Sequence, residues 1–334
     1  MKIIVPMAGR GSRLRPHTLT VPKPLIPIAG KPIVQRLVED ITKVVKDDVD
    51  EIAFVIGDFG VEIEHKLISI ANDLGAKGSI YYQDSPLGTA HAIACAKKSL
   101  SGPVVVAFAD TLFKADFTLD SDADGVIWVK QVEDPSAFGV VKIDDANVIT
   151  DFIEKPAKFV SDLAIIGIYY FKDGENLRAE LEYLIDNNII KGGEYQLTDA
   201  LENMKSKGLK LTPGTVDDWM DCGNKDATVD TNKQTLKYEK GEKHLVAKTA
   251  TIENSIIIEP CYIGENVVIK NSKIGPYVSI GLGTVIENSN IENSLIQNNA
   301  TLRRANIVNS MIGNQARYSG ASNEISIGDY SVLE

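Results

Sequence analysis

The chain has 334 residues, 44% of them hydrophobic and 24% charged, with a formal net charge of −11. That length exceeds what one core usually serves, so two domains are expected, and the charge argues against nucleic acid or an anionic membrane as a general partner. Cys95, Cys222 and Cys261 stand singly, a spacing that suggests neither a zinc site nor a disulfide framework. The opening residues read as a strand rather than a leader, and no apolar run approaches the ~18 residues of a membrane span, so the expected setting is cytoplasmic.

Ile3, Ile4 and Val5 form a short apolar run, read as a strand buried on both faces. It leads into Ala8-Gly9-Arg10-Gly11-Ser12, where small residues let backbone N–H groups approach a ligand and curl into an anion-binding concavity. Arg13 can fork onto phosphate oxygens, and Lys23 stands between two prolines that stiffen its backbone. The stretch reads as a polyphosphate loop with two cations aimed at it. A dinucleotide fingerprint would need a third glycine where Leu14 stands, and a Walker loop would need a Gly-Lys-Ser/Thr that does not follow.

Residues 33–46 place Ile33, Leu37, Val38, Ile41, Val44 and Val45 on one helical face. A strand over Glu51–Ile56, a helix over 61–72, a strand over 79–83, a helix over 89–99 and a strand over 104–109 follow. This alternation predicts a parallel sheet covered by helices on both faces. Ligands collect at the carboxyl ends of such strands, which singles out the loops 8–15, 83–89 and 110–114. In the second loop Gln83 can offer a donor and an acceptor to a base edge, Gly88 lets backbone approach a ring, and Thr89 can cap the next helix. Asp110 ends an apolar strand, where a carboxylate serves either as a helix cap or as a magnesium ligand.

From 125 the pattern turns to strands: 125–129, 139–143, 151–154 and 165–171. Helices return at 175–187 and 197–207, and Lys225–Tyr238 reads as a closing helix. A charged linker spans 239–244. Beyond it, Ile252, Ile258, Ile263, Ile269, Ile274, Ile280, Ile286, Ile291, Ile296, Leu302, Ile307 and Ile312 recur every five or six residues, with Gly, Asn and Ser between them. This period fits neither an α-helix nor an ordinary strand. It is the hexapeptide-type repeat of a parallel β-helix, one apolar residue per short strand pointing into a narrow core, and it is expected to organise subunits rather than to carry chemistry.

The opening stretch resembles the signature of the sugar-1-phosphate nucleotidylyltransferases, Gly-Gly-x-Gly-Thr-Arg-Leu-x-Pro-x-Thr followed by Pro-Lys-Pro. The chain keeps Gly9, Gly11, Arg13, Leu14, Pro16, Thr18, Pro22, Lys23 and Pro24, and departs at Ala8 and Ser12. Gln83-Asp-Ser-Pro86-Leu-Gly88-Thr89-Ala resembles the family's base-recognition loop. Phe138-Gly139, Glu154-Lys155-Pro156, Gly193-Glu194 with Thr198-Asp199, and Trp219-Met-Asp221-Cys-Gly223 resemble its later motifs.

The resemblance implies a Rossmann-like α/β nucleotidyltransferase domain with a mixed central sheet over 1–240; the repeat over 245–334 resembles the hexapeptide-repeat proteins, which implies a left-handed parallel β-helix. It implies Arg13, Lys23 and Lys155 as catalytic residues, and Ala8, Gly9, Gly11, Ser12, Gln83, Pro86, Gly88 and Thr89 on the nucleotide. Gly139, Glu154, Lys155, Gly167 and Glu194 would meet the sugar phosphate, and Asp110 and Asp221 would hold Mg²⁺. The implied reaction joins a nucleoside triphosphate, dTTP or UTP, to glucose 1-phosphate in a homo-oligomer. The alternatives are a mannose-1-phosphate guanylyltransferase and a non-catalytic sugar-nucleotide-binding regulator. Acyl transfer on the β-helix, as some relatives carry it, generally uses a His base, and residues 245–334 contain no His.

Overall fold

The computed structural model describes residues 1–9, 11–45, 48–115, 123–241, 245–320 and 324–333. Residue 46 of the first expected helix and residues 242–244 of the expected linker lie outside the described residues. The chain forms two compact units, Met1–Gly9 with Leu37–Trp219 and Arg10–Arg36 with Met220–Glu334. Among the described residues no helix is long and apolar enough to cross a membrane.

The first unit is built on a nine-stranded sheet. Its strands are β1 (Lys2–Pro6), β2 (Glu51–Ile56), β3 (Lys77–Tyr82), β4 (Val104–Ala107), β5 (Gly125–Gln131), β6 (Gly139–Ile143), β7 (Ile149–Glu154), β8 (Leu163–Phe171) and β9 (Leu211–Thr215). One half runs β4-β1-β2-β3 and is wholly parallel, as the alternating pattern predicts. Ile3, Ile4, Val5 and all of Ile52 to Ile56 are fully buried, and each Ile, Val or Phe among them contributes on the order of 1.5–3 kcal/mol. Rigid strands therefore carry the loops that follow them.

The other half is mixed: β8 runs against β4, β5 and β6, and β6 against β7, while β9 lies parallel to β5. Gly167 takes φ +87 within β8, and the β8–β5 register shifts between Ile165 and Tyr169. A bulge of this kind re-aims the chain beside it. β9, Thr111–Lys114 and Asp218–Asp221 have no sequence counterpart, nor have the two-residue strands Pro27–Ile28 and Lys31–Pro32. The helix expected over 89–99 ends at Cys95. Its continuation closes in tight turns, Ala96 N–H to Ile93 O and Ser99 N–H to Ala96 O.

In the second unit the repeat forms three stacked parallel sheets, consistent with a left-handed parallel β-helix. One inward column is Ile252, Ile269, Ile286, Leu302 and Tyr318; the second is Ile257, Ile274, Ile291 and Ile307; the third is Ile263, Ile280, Ile296, Ile312 and Ile327. Ile257, not Ile258, therefore fills the inward place of the first turn, and Ile252 at the open end is 39% exposed. The asparagines sit at corners, where Asn254, Asn271 and Asn288 take φ of 46, 49 and 51, a left-handed conformation Asn tolerates better than most residues. The serines form a ladder, Ser255 Oγ accepting from Ser272 N–H and Ser272 Oγ from Ser289 N–H, each at 3.0 Å.

The closing helix Lys225–Tyr238 starts on Asn224, whose Oδ1 accepts from Ala227 N–H at 3.0 Å. Within the same unit it ties the chain around Ala29 to the repeat. Asn232 Oδ1 accepts from Ala29 N–H at 3.0 Å and from Ser279 Oγ at 2.7 Å. Buried Arg36 donates to Ile28 O and Ala29 O and pairs with Glu239 at 2.7 Å.

Candidate active site

In the second unit, the signature loop is closed by Gly11. Its φ is +59, and a Cβ there would lie 2.9 Å from Lys23 Cβ and 3.1 Å from Thr18 Cγ2. Only glycine lets these two stretches meet so closely. Thr18 Oγ1 donates to Gly11 O at 2.8 Å, and Leu14 N–H donates to the same carbonyl at 3.0 Å. The fully buried Leu14 pins the tight turn Ser12–Leu14, while Ser12 and Arg13 face solvent. The fold thus brings Gly11, Ser12, Arg13 and Lys23 together.

Asp221 ends the strand Asp218–Asp221. Its Oδ1 accepts from Gly223 N–H at 3.0 Å, and its main-chain carbonyl accepts from Thr231 Oγ1 at 2.7 Å. Gly223 crowds this carboxylate: a Cβ there would lie 3.0 Å from Oδ2.

His17, which carries no motif signal in the sequence, is fully buried a short way beyond Gly11. Its Nε2 lies 3.0 Å from Ser326 Oγ. Burial pushes its pKa down to about 4; Asp329 opposes the shift and Lys225 adds to it. A folded-state pKa below the unfolded value of 6.5 means the unfolded chain binds the proton first as pH falls. The stability is thus complete above about pH 6.5 and is lost on the way down to pH 4, with roughly 3 kcal/mol at stake. Urea unfolding at pH 7.5 and 4.5 is expected to show this loss in the wild type and a smaller one in His17→Gln. Equal losses in both proteins would remove His17 as the cause.

In the first unit, Ala8 and Gly9 follow β1, with Met7 N–H donating to Val55 O at 2.8 Å. The loop 83–89 is locked to the chain entering the helix Leu197–Ser206. Tyr195 N–H donates to Leu87 O at 2.8 Å, and Ala90 N–H to Tyr195 O at 3.0 Å. Gly88, at φ +110, leaves no room for a side chain: a Cβ would sit 2.5 Å from Tyr195 O and 2.8 Å from Glu194 Cβ. Thr89 does not cap its own helix, as its type had suggested. Its Oγ1 accepts from Leu197 N–H at 3.0 Å, so it fastens two loops instead. Pro86 and Glu194 are exposed beside them.

Gln83 Nε2 donates to Gly88 O at 3.2 Å and lies 3.1 Å from His91 Nδ1. His91, which reads from sequence as an ordinary helix residue, therefore holds the amide. Burial lowers the His91 pKa, favouring the neutral ring that can accept this bond.

Asp110 is half-buried just past β4, in a turn where Thr111 N–H donates to Phe108 O at 3.3 Å. A strand follows, Thr111–Lys114, so the helix-cap reading does not hold. Gly167 joins this turn, its carbonyl accepting from Phe108 N–H at 2.9 Å. Thr111 Oγ1 donates to Ile166 O at 2.7 Å.

Gly139 pairs with Glu154 across β6 and β7, and a Cβ on Gly139 would lie 3.1 Å from Glu154 Oε2. Lys155 N–H donates to Phe138 O at 3.1 Å, and the Phe138 ring meets Trp219 edge-on at 4.9 Å. Lys155 is a non-glycine residue at φ +41, a conformation costing about 1–2 kcal/mol. Strain held this way clusters at functional sites. Its ammonium lies 3.7 Å from Glu154 Oε1, the lysine side chain largely in solvent and the glutamate partly so, so the pair adds little stability. Buried Tyr169 has its pKa raised by burial first, then by Glu154 and Asp110, which places both carboxylates within electrostatic reach of one hydroxyl.

Residues 2–238 match the family described as Nucleotidyl transferase. The low-salt glycan biosynthesis nucleotidyltransferase Agl11 of Haloferax volcanii is 29% identical, over 96% of this chain and 94% of its own length. Glucose-1-phosphate thymidylyltransferase of Streptomyces griseus is 27% identical, over 99% and 98%. The bifunctional protein GlmU of Methanococcus aeolicus is 32% identical over 78% of this chain, though over only 60% of itself. A UDP-glucose pyrophosphorylase solved with UDP-glucose superposes with a TM-score of 0.59 at 25% identity, covering 71% of this chain and 98% of its own. With the match spanning the whole first segment and the signature residues in place along it, the chain belongs to the nucleotidyl transferase family.

Proposed function

We propose that this sugar nucleotidyltransferase joins dTTP or UTP to glucose 1-phosphate, releasing pyrophosphate and forming a nucleotide sugar. The observation that carries the choice of base is Gln83. Its amide nitrogen is engaged by Gly88 O and His91 Nδ1, so the carbonyl oxygen is the part offered to a base. An acceptor there suits the N3–H of thymine or uracil and repels the N3 lone pair of cytosine. The full-length likeness to the thymidylyltransferase of S. griseus and the likeness to a UDP-glucose pyrophosphorylase support the sugar.

In the proposed reaction a phosphate oxygen of the sugar phosphate attacks the α-phosphorus in line. The protein supplies position and charge stabilisation rather than a covalent intermediate. Lys155 holds the sugar phosphate, with Glu154, Gly139, Gly167 and Glu194 around the sugar. Backbone amides of Ala8, Gly9, Gly11 and Ser12 cradle the triphosphate, and the 86–89 loop flanks the base. Lys23 binds the phosphates near the reacting centre, and Arg13 stabilises the charge that grows on the departing pyrophosphate.

Asp110 and Asp221 are proposed to hold Mg²⁺. Among the described residues no group of three or more His, Cys, Asp or Glu could hold a metal. Two carboxylates with substrate phosphates and water completing the shell suit Mg²⁺, which rarely takes an all-protein cage. When bound, the ion neutralises charge on the nucleotide phosphates. A homo-oligomer completes the proposal.

A panel of dTTP, UTP, GTP, CTP and ATP against glucose and mannose 1-phosphates, scored by pyrophosphate release, tests the reading. Turnover is expected to be highest with dTTP or UTP and glucose 1-phosphate. A preference for GTP with mannose 1-phosphate would establish the guanylyltransferase alternative. Binding of every pair without release would establish the regulatory one.

A further inference from the structure

We infer that the last coil of the β-helix positions the phosphate-binding loop, through Ser326 on His17, Asp329 on Thr20 and Gly328 against Pro16. The three contacts fall on one short stretch of the loop. His17 Nε2 lies 3.0 Å from Ser326 Oγ, 309 residues away. Thr20 Oγ1 donates to Asp329 Oδ2. A Cβ on Gly328 would lie 2.8 Å from Pro16 Cβ, so the coil lies flat on the proline.

The grip is passed on in both directions. On the loop side, His17 N–H donates to Leu14 O at 3.1 Å, Leu19 N–H to Pro16 O at 3.2 Å, and Thr18 Oγ1 to Gly11 O at 2.8 Å. Movement of residues 16–20 therefore moves the turn that bears Ser12 and Arg13. On the other side, Asp329 Oδ1 accepts from Asn314 N–H at 2.6 Å, and Asn314 Nδ2 donates to Gln297 Oε1 at 2.8 Å. This polar column runs down three coils, and Gln297 is buried. The same coils take Lys225, which donates to Asn309 O at 3.1 Å and pairs with Glu324. Lys225 opens the helix that follows Asp221.

The buried imidazole is a poor choice for packing alone. Its Nδ1 has no hydrogen-bond partner among the described residues, and an unsatisfied buried polar atom costs stability that a leucine would not. The single bond to Ser326 gives the polar residue its purpose: it fixes the loop's direction as well as its burial. The repeat then does more than organise subunits, the role its sequence alone suggests. It holds the loop in the bound geometry ahead of the substrate, which lowers the ordering cost on binding.

The kinetic part of this inference rests on the proposed triphosphate chemistry; the anchoring part does not. Ser326→Ala, Thr20→Val and the double variant in the full chain test both. Amide hydrogen exchange at His17 and Leu19 is expected to quicken about tenfold in the double variant, as a local closure is lost. The KM for the triphosphate is expected to rise about fivefold while that for the sugar phosphate stays within about twofold. Ser326→Thr, which keeps the hydroxyl, should restore both readouts. Unchanged exchange would overturn the anchoring, whatever the enzyme turns over. Faster exchange with an unchanged triphosphate KM, or an equal rise in both KM values, would overturn the positioning role.

Discussion

Asparagine in place of Asp110 or of Asp221 is expected to lower kcat/KM about a hundredfold or more, because it keeps the shape and one oxygen but removes the charge that holds a divalent ion. Both changes keep the size and shape of the side chain. In Asp221→Asn the side-chain amide would still offer an oxygen to Gly223 N–H, which Asp221 Oδ1 now meets at 3.0 Å. Asp110 lies in a turn ahead of a strand rather than capping a helix. Folding should therefore be preserved, and thermal melts should agree within a few degrees. If the two serve one ion, high Mg²⁺ or Mn²⁺ should partly restore activity in each single variant. The double variant should be little worse than the worse single, since acting through one ion makes the losses non-additive. Electron paramagnetic resonance of Mn²⁺ in the presence of triphosphate gives a readout independent of turnover, and both singles should weaken the bound signal. Fully additive losses with unaltered Mn²⁺ binding would mean that the carboxylates work separately.

Lys155→Ala is expected to raise the KM for the sugar phosphate by about tenfold or more and to leave the triphosphate KM within about twofold, since it removes a ground-state contact to one substrate. Lys23→Ala should instead lower kcat, because its charge is wanted most as the phosphates redistribute theirs. Lys155 is well placed for a clean test. Its side chain is 64% exposed and its ion pair to Glu154 is 3.7 Å long, so its removal should cost little stability. Alanine inherits the backbone at φ +41 and with it the local shape. Equal effects of Lys155→Ala on both KM values would sink the assignment.

The parts of the fold that sequence made legible are those with a strong local signal. β1 and β2 read as apolar runs, the helix Lys225–Tyr238 announced both its ends, and the repeat declared itself by its period. The register of the first coil was not legible because Ile256-Ile257-Ile258 offers three isoleucines, and a step of five or six accepts two of them. Pairing of Ile257 with Ile274 decides it. The apolar series breaks off at Ile312 in the sequence, although the repeat was expected to run on, because Tyr318 takes an inward place held in earlier coils by Ile or Leu.

The candidate residues carried a motif signal, yet their supports did not. Nothing in Thr89 shows that it will serve Leu197 N–H rather than its own helix. Nothing in His91 shows that it will face Gln83. Contacts such as His17 to Ser326 span most of the chain, and only the folded register creates them. The left-handed backbone at Lys155 is likewise invisible in a residue type that seldom adopts it. Gly11 and Gly88 read as letting backbone approach a ligand; in the fold each lies where a Cβ would crowd a protein neighbour, whereas a Cβ on Gly9 would meet nothing within 4 Å.

The central claim, that the sugar phosphate attacks the α-phosphorus, is tested most directly by following oxygen. Glucose 1-phosphate carrying ¹⁸O throughout its phosphate would be incubated with dTTP or UTP and Mg²⁺, and the products weighed by mass spectrometry. All the label is expected to stay in the nucleotide sugar, with one unlabelled pyrophosphate released for each. Labelled pyrophosphate, or a nucleoside monophosphate in place of the nucleotide sugar, would contradict it.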